Sequence, residues 1–117
     1  MARYVLLFQT NTANDRAADF ISWNEHQGMP GMLGIYGFTS AERFVLASEV
    51  EGESGYPYQH MDAYDVETDD INSVVQQIKE RLATTKSDAV TSAGTLVTVF
   101  KPVGPRLRAV KQPVKSS

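Results

Sequence analysis

The chain has two histidines, and each stands where a proton could be moved. His26 closes the run Trp23-Asn24-Glu25-His26. Near the C-terminus of a helix, the dipole and the adjacent carboxylate would both favour its imidazolium. The same position equally suits a residue that only caps the last helix carbonyls. His60 shares period-two parity with Tyr58, Asp62 and Tyr64, so on a strand these four side chains leave one face. Residues two apart on a strand are separated by about 6.5–7 Å. A hydrogen bond from His60 to Asp62 would fix the imidazole tautomer and raise its basicity, as general bases commonly need. Tyr58 and Tyr64 could donate to a carbonyl or phenolate oxygen. The alternative is a polar sheet face buried between subunits with its hydrogen bonds satisfied. The catalytic candidates are therefore His26, His60, Asp62 and Tyr64.

Arg43 could clamp a carboxylate or stabilise an enolate, or else pair with Glu42 or Asp65 at the surface. With Arg43, the rings of Tyr4, Phe8, Trp23, Tyr36, Phe38 and Tyr58 are expected to line a mainly apolar, aromatic pocket. Two histidines and an aspartate could also ligate a metal. No H-x-x-x-H or H-E-x-x-H spacing occurs, however, and the histidines fall on different elements, so no metal site is expected. The absence of cysteine removes disulfides, thiolate zinc sites and thiol nucleophiles. Gly28, Gly31, Gly34 and Gly37 form neither G-x-G-x-x-G nor a P-loop, and there is no G-x-S-x-G. Eleven Lys and Arg against fourteen Asp and Glu give a net charge of −3, which offers nothing to nucleic acid or an anionic membrane. The opening apolar run is too short for a signal-peptide core or a membrane span, so a cytoplasmic protein is expected.

These groups need elements to hold them. Tyr4-Val5-Leu6-Leu7-Phe8 is β-prone and apolar on both faces, as in a central strand covered on both sides. Asn14 or Thr12 can cap a first helix, with Asp15 placed to favour its dipole. Ala17, Phe20, Ile21 and Asn24 share a face of that helix, expected from about Asp15 to Gln27 and ended by Gly28 and Pro30. A second strand is expected over Thr39–Val50, closing in the acidic turn Glu51-Gly52-Glu53-Ser54-Gly55, and a third over Tyr58–Val66. Ile71, Val74, Val75, Ile78 and Leu82 fall on one face of a helix from about Asp69 to Ala83. Gly94–Lys101 reads as a fourth strand, stopped by Pro102, Gly104 and Pro105. One domain over residues 1–105 is expected, with 106–117 as a C-terminal tail.

Strand, helix, strand, strand, helix, strand is the α+β, ferredoxin-like βαββαβ order, a four-stranded antiparallel sheet with both helices on one face. Strands apolar on both sides would leave the second face bare, and a second copy packed sheet against sheet would cover it. A homodimer follows as the expectation.

The stretch from Phe20 to Phe44 resembles the EthD-like group of the dimeric α+β barrel superfamily. There a helix ends in an aromatic-acid-Glu-His-x-Pro phrase and Pro-Gly-Phe opens the next strand. Here Trp23-Asn24-Glu25-His26, Pro30 and Gly37-Phe38, followed by Ala41-Glu42-Arg43-Phe44, carry the likeness. The resemblance implies a dimeric barrel and a small enzyme of catabolic or polyketide-type pathways acting without an organic cofactor. Its reactions would be elimination or dehydration, isomerisation, cyclisation or cofactor-free oxygenation. The proton-transfer groups favour a lyase or isomerase. A cofactor-free monooxygenase and a non-catalytic ligand-binding dimer are the alternatives, with a haem-handling protein behind them because neither histidine has a recognisable iron-ligating context.

Overall fold

The computed structural model describes residues 1–12, 15–52, 55, 57–84 and 90–110. In chain order they form β1 (Ala2–Thr12), α1 (Ala17–Trp23), a π-helical turn (Asn24–Gly28), α2 (Met29–Leu33), β2 (Phe38–Val45), β3 (His60–Thr68), α3 (Ile71–Thr84) and β4 (Val90–Phe100). The strands lie in the order β2-β3-β1-β4, every neighbour antiparallel. This is the ferredoxin-like layout expected from the element order.

Period-two alternation assigns the faces of the sheet. Leu6, Phe8 and Thr10 of β1 and Asp62, Tyr64, Val66 and Thr68 of β3 are buried, while the residues between them are partly or fully accessible. The buried set packs against Met32, Ile35, Val74 and Ile78 to make the core. Each fully covered aliphatic or aromatic side chain contributes about 1.5–3 kcal/mol. On the other face Val5, Leu7, Met61 and Ala63 are half-buried, and Phe44, Leu96 and Phe100 are 43, 42 and 52% exposed.

α3 begins as its sequence dictates. The Thr68 hydroxyl accepts from the Asp70 amide at 3.0 Å, and the Asp70 carboxylate accepts from the Ser73 amide at 3.2 Å. Asp70 is thus an N-cap serving N3. Val74 and Ile78 are buried, and Ile71 and Leu82 pack beside them.

The first helical segment departs from expectation. Gly28 and Pro30 do not end it, and the chain continues through the π turn to Leu33. In a regular α-helix the Pro30 ring would strike the carbonyl four residues back, and Pro30 has no N–H to donate. The Met29 amide instead donates to the carbonyl of Asn24, five residues back, and the wider turn accommodates the proline. The extra residue also keeps a file in line. A four-residue repeat drifts about 40° per step around an α-helix, yet Phe20, Asn24 and Met32 all face the sheet and are buried, with Gly28 between them. The N-terminal end differs too. Asp15 has a positive φ of 59° and lies outside α1, whose first-turn acid is Asp19. Asn14, the suggested cap, lies outside the described residues.

β2 stops at Val45 rather than Val50, and β3 runs His60–Thr68 rather than Tyr58–Val66. The ladder ends where the Leu46 amide donates to the Gln59 carbonyl at 2.8 Å; beyond it Val50 is 97% exposed. Glu53 and Ser54 of the acidic turn are outside the described residues. β4 begins at Val90, earlier than Gly94. Gly37 joins α2 to β2 at φ +100°, where a Cβ would stand 2.8 Å from the Glu67 carbonyl oxygen, so the close approach requires glycine. Arg106–Val110 are exposed and without regular structure.

Candidate functional site

The α1 end of the helix-covered face gathers most of the predicted groups. The register places His60, Asp62 and Tyr64 opposite Thr10, Phe8 and Leu6 on one side, and His60 and Asp62 opposite Val45 and Arg43 on the other. Arg43 is therefore the cross-strand neighbour of Asp62. Above them the helical segment lowers Phe20 and Asn24 onto the sheet.

Asp62 is 8% exposed and accepts a hydrogen bond from Asn24 Nδ2 at 2.8 Å. Burial raises its pKa above the ordinary carboxylate value; the Asn24 bond and the Arg43 charge oppose that rise. His60 is half-buried with its ring centroid 5.2 Å from that of Phe20. Burial, and then the Arg43 charge, lower its pKa, so the imidazole is neutral at neutral pH. Burial, and then the charge of Asp62, raise the pKa of Tyr64, which therefore remains a protonated phenol. The Tyr64 ring is 1% exposed and sits edge-on to Phe8 at 5.0 Å and to Phe38 at 5.4 Å. The Arg43 guanidinium donates to Glu25 Oε1 and, at 3.4 Å, to the Ile21 carbonyl.

Among the described residues no hydrogen bond joins His60 to Asp62. Asp62 turns its acceptor to Asn24, and among the described residues neither nitrogen of His60 makes a hydrogen bond. Asp62 can therefore influence His60 only through space. Arg43 pairs with Glu25 rather than Glu42 or Asp65, because it shares the helix-covered face with Asp62 while Glu42 and Asp65 leave the other face of the sheet, where Asp65 bonds to Arg3 and Ser40.

The remaining predicted residues divide. Trp23 stacks on Phe20 with centroids 6.3 Å apart, bordering the site. Phe8 and Phe38 both meet the buried Tyr64 ring edge-on. His26 is exposed, two positions from Asn24 and so on the opposite side of the turn. Its Nδ1 lies 2.7 Å from the Ser22 carbonyl; a carbonyl only accepts, so Nδ1 carries the proton. Tyr4 is half-buried opposite Val66, towards the far end of the sheet. Tyr36 is 83% exposed and borders a separate cleft of about 280 Å³ with Met1, Asp69, Asp70, Ser73 and Gln77. Tyr58 precedes β3, so strand alternation no longer governs it. Among the described residues no group of three or more His, Cys, Asp or Glu could hold a metal ion.

Three residues of the cluster were not among the expected site residues: Phe20, Asn24 and Glu25. Asn24 carried the readable signal, an amide standing on an otherwise apolar helical face.

Fold and site together describe a ferredoxin-like chain that brings a half-buried imidazole, a buried carboxylate and a guanidinium together beside the Phe20 ring. No family model matches the chain, and no curated protein matches it significantly. Solved structures do. A candidate monooxygenase from Shewanella loihica PV-4 superposes with a TM-score of 0.56 at 14% identity, covering 89% of this chain and 97% of that one. An EthD family protein from Bacillus halodurans C-125 gives 0.55 at 12%, covering 88 and 100%. A DABB family protein with a ferredoxin-like fold from Mesorhizobium loti MAFF303099 gives 0.55 at 10%, covering 89 and 100%. At these identities the likeness is one of fold. Among the described residues no helix is long and apolar enough to cross a membrane.

Proposed function

We propose that this chain is a small-molecule enzyme that moves protons on an aromatic, polyketide-like or catabolic intermediate, a lyase or isomerase working in the cytoplasm without an organic cofactor. The carrying observation is His60, a neutral, half-buried imidazole with both nitrogens free of hydrogen bonds among the described residues and an aromatic ring 5.2 Å away. A base in this state can accept a proton from carbon next to a carbonyl or from a phenol. Arg43 offers positive charge to the oxygen that becomes negative, and Tyr64 supports the wall beside Asp62. The bare apolar face supports a homodimer packed sheet against sheet. Sedimentation showing a monomer at micromolar concentration would remove that part of the reading.

The test is deuterium incorporation from heavy water into a panel of phenols and β-dicarbonyl compounds under nitrogen. Exchange that depends on the protein is the expected result. Oxygen consumption with a reduced phenol, and no exchange without oxygen, would transfer the reading to a cofactor-free monooxygenase, the reading to which the likeness to the candidate monooxygenase from Shewanella loihica PV-4 lends support. Tight binding with neither reaction would leave a ligand-binding dimer.

A further inference from the structure

We propose that Asn24 is a positioning residue whose amide, clamped between Asp62 and Gly28, orients the Asp62 carboxylate beside Arg43 and His60. The inference rests on the reading that Asp62 belongs to the proton-transfer centre, and it concerns a residue that touches no reacting atom.

Asn24 is 2% exposed and Asp62 8%, so two polar side chains meet away from bulk water. A carboxylate only accepts, so the nitrogen side of the amide must face it, and Nδ2 lies 2.8 Å from Oδ2. The other end of the amide is held as well. A Cβ placed on Gly28 would stand 2.6 Å from Asn24 Oδ1 and 2.7 and 3.0 Å from two atoms of the Trp23 ring. Oδ1 thus packs on a backbone that has room for it only because residue 28 is glycine, and Trp23 closes the same gap. The π turn keeps residue 24 in the buried file between Phe20 and Met32, where apolar packing alone would call for an aliphatic side chain. Other charged or titratable groups around Asp62 are Arg43 from β2 and His60 and Tyr64 from β3. Arg43 makes its hydrogen bonds to Glu25 and Ile21, so among the described residues Asn24 supplies the one hydrogen bond that reaches the Asp62 carboxylate.

The Asp62 carboxyl carbon can be followed by NMR through a pH titration of the full chain, with wild type as the reference. In Asn24→Leu, which keeps water out but removes the donor, the Asp62 midpoint should rise by about one pH unit, a tenfold gain in proton affinity. Gly28→Ala retains the amide but displaces it and should move the midpoint the same way by less. Asn24→Ser, which restores a small donor, should bring the value part of the way back. Should Asn24→Leu fail to fold, Gly28→Ala and Asn24→Ser carry the same readout. A midpoint that stays put in the folded variants, with native dichroism, overturns the inference and leaves Asn24 as filling. Because this titration needs no substrate, its failure is distinguishable from failure of the deuterium-exchange test.

Discussion

α3 and the segment from Ala17 to Leu33 cover the same face of one sheet, yet they bring different chemistry to it. α3 buries Val74 and Ile78, flanked by Ile71 and Leu82, and is a single capped helix. The first segment buries Phe20, Asn24 and Met32, is broken by a π turn, and ties Glu25 to Arg43. One end of the molecule satisfies every rule for a stable layer. The other places an amide and a carboxylate where hydrocarbon would pack better, at a cost in desolvation. Departures of this kind are expected at functional sites.

The largest effect expected is on catalysis. His60→Ala should slow deuterium exchange by about 10²–10⁴-fold, the usual loss of a general base, while dichroism and assembly stay unchanged. His26→Ala, on the outer side of the turn, should leave the rate alone. If both variants exchange at the wild-type rate, histidine base catalysis is out and Asp62 and Tyr64 are the next groups to test.

Ile78→Ala should cost about 2–5 kcal/mol of stability, since it removes buried methyls and leaves a cavity. A melting temperature that barely moves would contradict the assignment of α3 as the structural half. Asp62→Asn should do the opposite at neutral pH. It removes a desolvated charge yet still offers an acceptor to Asn24, and should raise the melting temperature by roughly 4 °C while impairing exchange. A fall in melting temperature would show that the ionised carboxylate stabilises the fold.

The smallest effect is one of pH. Unfolded His60 takes up its proton near pH 6.5, whereas the folded imidazole, with a lowered pKa, does so only at lower pH. Between those points the unfolded state binds more protons, so stability falls as the pH falls. Asp62 acts in the reverse sense, because its folded pKa is raised and protonation there favours the folded state. Urea unfolding at about pH 7.5 and 5.5 should therefore show a larger acid loss in wild type than in His60→Gln. Equal losses would mean that the folded environment does not disfavour the His60 imidazolium.

The alternation of β1 and β3 and the stripe of α3 were legible because burial follows period two or 3.6 whatever the partner. Parity alone put His60, Asp62 and Tyr64 on one face. It could not say that Asp62 would bond to Asn24 rather than His60, since that choice depends on a helix arriving from elsewhere in the chain. Tyr36 was read as a pocket residue from its type, and the turn that carries it exposes it beside a separate cleft. Gly28 and Pro30 looked like stops because each disfavours a regular helix on its own; the packing of Phe20, Asn24 and Met32 against the sheet, and a turn wide enough for the proline, carried the helix through them. By itself the sequence determined the periodic layers, the ferredoxin-like element order and the inventory of proton-transfer groups, all of which are local properties of the chain. The tertiary structure alone decided which of those groups meet and which of the two histidines is drawn out of water, because pairing and desolvation are relations between segments far apart in sequence.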